Sequence, residues 1–182
     1  MGRERELGRL DDVLSQTLGG TGSCTLVLGE AGIGKTRLLE EVAERARGRG
    51  FVTAWGRGWE LGRAPSLWPW LEISRALLER PLSPPAFAQR LRSLLPELGP
   101  AVVSESGDVF QLYDAVRSYV QAHALVEPLA LFLDDLHVVD DSSLVLAEFV
   151  ARGLSRGRVA LFGSQRLLTR SQALRVAKDP LL

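Results

Sequence analysis

Gly29-Glu30-Ala31-Gly32-Ile33-Gly34-Lys35-Thr36 is the stretch from which the rest of the chain can be read. It fits G-x-x-x-x-G-K-[ST] at every position, the pattern of a loop that cradles phosphate. Gly29, Gly32 and Gly34 have no Cβ, so backbone N–H groups can turn inward and approach phosphate oxygens closely. A helix starting at Lys35 adds the partial positive charge of its N-terminus. The Lys35 ammonium is placed to reach the β- and γ-phosphates, and the Thr36 hydroxyl to bind Mg²⁺. The nucleotide-binding set read here is Gly29, Glu30, Ala31, Gly32, Ile33, Gly34, Lys35, Thr36 and Arg37. A flexible glycine-rich turn would show the same glycines, so the flanks decide. Cys24–Leu28 is an apolar run suited to a buried strand, and Lys35–Arg47 carries Leu38, Leu39, Val42 and Ala46 at helical spacing.

The same alternation continues in both directions. Leu7, Leu10, Val13, Leu14 and Leu18 mark a helix that Gly19, Gly20 and Gly22 end. Phe51–Trp55 reads as a second strand, Trp70–Leu78 as a helix broken by Pro81, Ala86–Leu95 as another, and Val109–Ala124 as a third. Leu129–Leu133 is continuously apolar, as in a parallel strand covered on both faces. Ser142–Leu154 reads as a helix that Asp140, Asp141 or Ser142 could cap. Val159–Gly163 is a fourth strand, and Ser171–Ala177 starts a last helix. Strands alternating with helices predict an α/β fold with a parallel sheet, a three-layer P-loop NTPase, in one domain over 1–182.

Composition narrows the function classes. The chain of 182 residues balances 22 basic against 22 acidic residues, so it shows none of the basic excess of a nucleic-acid surface. No apolar run reaches the roughly 20 residues of a membrane span. Met1–Arg9 lacks the apolar core of a signal peptide, so a cytoplasmic location is expected. The single cysteine, Cys24, excludes an internal disulfide and reads as a small core residue. Lysine occurs only at Lys35 and Lys178, the other 20 basic residues being arginine. A chain nearly without lysine that keeps one in a glycine loop favours its compact ammonium there.

Leu131-Phe132-Leu133-Asp134-Asp135 supplies a second site at the carboxyl end of a strand, where active groups of such sheets gather. Asp134 is expected to hold Mg²⁺ through water, and Asp135 to orient or deprotonate an attacking water. A turn or helix-capping pair of aspartates is the alternative. Ser164-Gln165-Arg166 ends the fourth strand, where it faces either the γ-phosphate or solvent. His137 is assigned a supporting role beside the acidic pair, and Trp55, Trp59, Trp68 and Trp70 a packing role.

These blocks together resemble the N-terminal ATPase segment of large ATP-binding LuxR-type transcriptional regulators, within the AAA-like STAND signalling ATPases. Gly2-Arg3-Glu4-Arg5-Glu6-Leu7 resembles their N-terminal box, and Leu28–Thr36 their Walker A. Leu133-Asp134-Asp135-Leu136-His137 with Asp140-Asp141-Ser142-Ser143-Leu144 resembles their Walker B region, and Gly163-Ser164-Gln165-Arg166 their sensor 1 region. The resemblance implies adenine as the base, the N-terminal box near that base, and Arg166 as the γ-phosphate sensor. It implies ATP, ADP and Mg²⁺ as ligands and partner domains or chains of a transcriptional regulator; the balanced charge predicts no direct nucleic-acid contact from this segment. It also implies sheet order 5-1-4-3-2 with a fifth strand and a helical lid. The family's Trp-Ala after the histidine is Val138-Val139 here, apolar for apolar. Such regulators run on for hundreds of residues, so the chain is expected to be a truncated domain with strand 1 at an exposed edge. Three functions fit: an ATP-driven switch with weak hydrolysis, a nucleotide-binding remnant without turnover, and a phosphotransferase.

Overall fold

The computed structural model describes residues 3–59, 65–80 and 106–166. The elements are α1 (Glu4–Leu18), β1 (Ser23–Gly29), α2 (Lys35–Gly48), β2 (Val52–Arg57), α3 (Trp68–Leu78), α4 (Ser106–Val126), β3 (Leu129–Asp134), α5 (Asp141–Arg152) and β4 (Val159–Arg166). The helices expected over 86–95 and 171–177 lie outside the described residues.

The four strands form one sheet in the order β1-β4-β3-β2, every pair parallel. This matches the expected order for the strands described. Side chains alternate across it. Leu129, Leu131 and Leu133 of β3 face a core shared with α3, α4 and α5, whereas Ala130 and Phe132 face a core shared with α1 and α2. Every residue of β3 is buried, which is why its sequence is an unbroken apolar run. On the α2 face an aromatic row crosses the sheet. Phe132 stacks on Trp55 at 4.5 Å and on Phe162 at 5.2 Å between ring centroids. Burying one such side chain contributes about 1.5–3 kcal/mol.

β1 stands at an edge of the sheet among the described residues, and its side chains are mostly half-exposed. Cys24 is therefore exposed rather than a core residue, because apolar character cannot say which strand has a neighbour on both sides. Leu18, assigned to the buried face of α1, is also exposed, and Thr17 takes the buried place. Ser164, Gln165 and Arg166 lie inside β4 rather than after it.

Local chemistry sets the helix ends. Gly50 at φ +83° lets the chain turn back after α2, and Phe51 N–H closes on Ala46 O at 3.0 Å. Of three candidate caps for α5, Asp140 is the one used. Its carboxylate accepts from Ser143 N–H at 3.0 Å and Ser143 Oγ at 2.6 Å. It also accepts from Ser66 Oγ at 3.0 Å and Leu67 N–H at 3.1 Å, tying the start of α3 to α5. Partial burial pushes its pKa up, but these bonds outweigh that and hold it below the usual carboxylate value.

His123 of α4 is 2% exposed and packs edge-on to Tyr119. Burial is the main cause that lowers its pKa from the ordinary 6.5, against an opposing pull from Glu127. The folded chain therefore takes up this proton at lower pH than the unfolded chain does, whose ordinary value is 6.5. Its contribution to stability is thus present above that pH and lost as pH falls through it. Urea denaturation should show the midpoint dropping between about pH 7.5 and about pH 5.5, and dropping less in His123→Gln.

Candidate functional site

The glycine loop joins β1 to α2, as its flanks require. Gly32 and Gly34 have φ of +75° and +87°, a backbone region that residues with a side chain rarely adopt. Gly34 is the N-cap of α2 and offers no side-chain acceptor, and the first turn holds no acidic residue. The first N–H groups of α2 thus lack a carboxylate or hydroxyl cap, the arrangement that suits an anion. Lys35 is 7% exposed, and its Nζ donates to Gly29 O at 3.1 Å and Glu30 O at 2.9 Å. The ammonium is folded onto the loop's own carbonyls, within the ring that a phosphate would enter. Glu30, Ala31, Gly32 and Ile33 are exposed, Thr36 is half-buried, and Gly29 is buried.

Arg37 is exposed and lines a polar depression with Glu40, Glu44, Arg47, Trp55 and Arg57, on the flank of α2 toward β2. Its backbone belongs to the first turn of α2, while its side chain borders that flank. A larger cavity of about 620 Å³ lies between α4 and the start of β4. It is at the opposite end of the strands from the loop, so volume alone would point away from this chemistry.

Asp134 ends β3 with 4% exposure. Ser164 Oγ donates to its Oδ1 and accepts from Asp135 N–H at 3.0 Å. Asp135 follows in a left-handed conformation at φ +56°, and its carboxylate lies 3.7 Å from Nδ1 of the buried His137. That distance is an electrostatic contact rather than a hydrogen bond. β4 joins the acidic pair to the glycine loop. On β4, Arg166 stands opposite Gly29 and Ser164 opposite Val27, so both sites open at one end of the sheet.

Three contacts escaped the sequence reading. Arg3 donates through its guanidinium to the carbonyls of Ile33 and Gly34, so the start of α1 grips the loop itself. Gly58 N–H donates to Asp134 O at 2.9 Å, and a Cβ at Gly58 would meet Asp135 O at 2.5 Å. Ser164 bridges both aspartates. Each joins positions roughly 30 or more residues apart, and only Gly58 leaves a mark in the sequence, as a glycine among the several of its loop.

Residues 1–162 match the family model of the AAA ATPase domain. The chain belongs to the AAA ATPase domain family. Membership implies nucleotide binding. An uncharacterized protein of Rhizobium meliloti (strain 1021) is 27% identical over 186 aligned residues. The match covers 90% of this chain and 18% of that relative's length. Among solved structures, a chain of Drosophila ORC bound to DNA gives a TM-score of 0.45 at 12% identity, covering 90% of this chain and 79% of that one. A chain of Drosophila ORC bound to GC-rich DNA and Cdc6 gives 0.41 at 13% identity, covering 91% and 52%.

The donors fit Mg²⁺. Thr36 hydroxyl and Asp134 carboxylate are hard oxygen ligands of the kind that share this ion with a nucleotide's phosphates. Among the described residues no group of three or more His, Cys, Asp or Glu could hold a metal ion by itself. Among the described residues no helix is long and apolar enough to cross a membrane.

Lys35→Ala removes the ammonium that lies in the loop and leaves the fold's cores untouched. ATP affinity should fall about tenfold or more, since a charge-assisted hydrogen bond is worth about 1.5–3 kcal/mol. Calorimetric titration checks this, and equal affinity in the variant would refute the assignment.

Proposed function

We propose that this AAA ATPase domain is a Mg²⁺-ATP-dependent regulatory switch with weak ATP hydrolysis, belonging to a LuxR-type transcriptional regulator. The observation that carries the reading is the convergence of the glycine loop, Asp134 and Asp135 at one end of the sheet, joined through β4. The regulator context and the choice of adenine rest on the sequence blocks that resemble those ATPases. That the matched relative is far longer than this domain accords with a domain embedded in a larger chain.

Each residue then has a task. The N–H groups from Glu30 to Thr36 hold the phosphates, helped by the positive end of α2. Lys35 turns from the carbonyls of Gly29 and Glu30 to the β- and γ-phosphate oxygens, replacing two neutral acceptors with charged ones. Thr36 and Asp134 would hold Mg²⁺, which neutralises phosphate charge when bound. Asp135 orients the attacking water and takes its proton, with His137 beside its carboxylate. Arg166, opposite Gly29, meets the γ-phosphate and so distinguishes ATP from ADP. A switch requires that ATP and ADP favour different conformations of the domain and its neighbours, and loss of the γ-phosphate removes that contact. Partners are other domains or chains of the regulator, and this segment makes no nucleic-acid contact of its own.

Hydrolysis measured with Asp135→Asn tests the reading. Turnover should fall about 100-fold or more, with ATP affinity within about threefold of the parent. ATP binding by the parent without any turnover would instead identify a nucleotide-binding remnant, and phosphate arriving on an added acceptor a phosphotransferase.

A further inference from the structure

The cleft of about 620 Å³ at the amino end of β4 has no task in the scheme above. Its volume falls within the roughly 300–1,000 Å³ common to small-molecule sites. Ala122 and Leu125 of α4 form one wall, and the chain that leads from the end of α5 into β4 forms the other. Gln121 Nε2 donates to Gly153 O at 3.1 Å and ties the two walls together. Leu154 and Val159 supply a buried apolar floor. At the rim Leu125 is 82% exposed, and the next residue, Val126, is exposed as well. Two large apolar side chains left in water beside an apolar floor suit an apolar body resting there.

The charges of the cleft have one sign. Arg156 and Arg158 line it, and no carboxylate does. Arg158 is held in place by the last carbonyls of α4: Nε donates to Ala124 O at 3.2 Å and Nη2 to Leu125 O at 2.9 Å. A guanidinium carries five N–H donors, so Arg158 keeps others to give. Arg156 is exposed and pairs with no acid among the described residues. One cation is thus fixed by the fold, and a second stands beside it without a partner.

We infer that this cleft binds a small organic carboxylate with an apolar body, the body against Leu125, Leu154 and Val159 and the carboxylate at Arg156 and Arg158. The planar fork of a guanidinium matches the two oxygens of a carboxylate. An apolar body on the floor displaces water beside the pair, and the attraction between the charges strengthens as water leaves. Parallel pairing puts the cleft at the amino ends of the strands and the glycine loop at their carboxyl ends. The two sites are therefore separate, and the inference stands without the nucleotide reading.

Titration of the full, isotope-labelled chain with octanoate, followed by the NMR shifts of its backbone amides, tests this against octanamide, which has the same shape without the charge. The octanoate shifts should gather in 118–125 and 153–159. Octanoate should bind about three- to tenfold more tightly than the amide. Arg156→Gln should weaken octanoate about threefold and leave octanamide within about twofold. Leu125→Ala should weaken both ligands alike, by about threefold. Both substituted side chains are exposed, so the two cores are untouched. Lys35→Ala should leave octanoate binding unchanged, whether or not the glycine loop holds a nucleotide. Absent shifts, shifts gathered elsewhere, equal affinity for the amide, or unchanged affinity in the Arg156 and Leu125 variants would each overturn the inference. So would weaker octanoate binding in Lys35→Ala, which would place the anion at the loop instead.

Discussion

The structure depends on an uncapped helix start. Four N–H groups at the beginning of any helix lack intrahelical partners, and most helices answer them with Ser, Thr, Asp or Asn. α2 begins instead at Gly34, with no capping side chain and no acid in its first turn. Such an end is completed by water or by an anion. The same turn bends through Gly32 and Gly34 in conformations that other residues resist, and Lys35 folds back on the loop's carbonyls. These features together suit a polyphosphate.

The parallel sheet turns that local property into a site. A strand leading into α2 must have its carboxyl end beside the loop, and parallel pairing puts the carboxyl ends of β3 and β4 at the same side. The two cores hold this register. A slip of one residue in β3 would exchange Leu131 with Phe132 between faces and turn Asp134 away from α2. β4 lies between the loop strand and the acidic strand, so its last residues are in contact with both. Its polar ending, Ser164-Gln165-Arg166, runs opposite Val27–Gly29 of β1, and Ser164 touches Asp134 and Asp135.

Much of this was legible in the sequence, for physical reasons. The glycine spacing, the unbroken apolar run Leu129–Leu133 and the helical spacing after Lys35 are local patterns that report a strand, a loop and a helix directly. The site's supporting contacts were not legible. Ser164 was read as part of a polar strand end, because nothing local says that its hydroxyl lies against Asp134 from a strand 30 residues earlier in the chain. Arg3 belonged to a recognised box, yet its grip on Ile33 and Gly34 follows only from how α1 crosses α2. Cys24 was misplaced because burial of a strand residue depends on which strand is the edge. α3 begins at Trp68, two residues before the expected start, since Leu67 at φ +64° and Pro69 open it together.

The central claim is that main-chain amides at the start of α2 close around a polyphosphate. Phosphorus NMR of ATP mixed with the purified chain and Mg²⁺ reads this at the phosphates themselves. The account predicts that the β- and γ-phosphate resonances shift or broaden as the chain is added, and that inorganic pyrophosphate competes. Phosphate resonances that stay at their free positions at saturating chain concentration would contradict it.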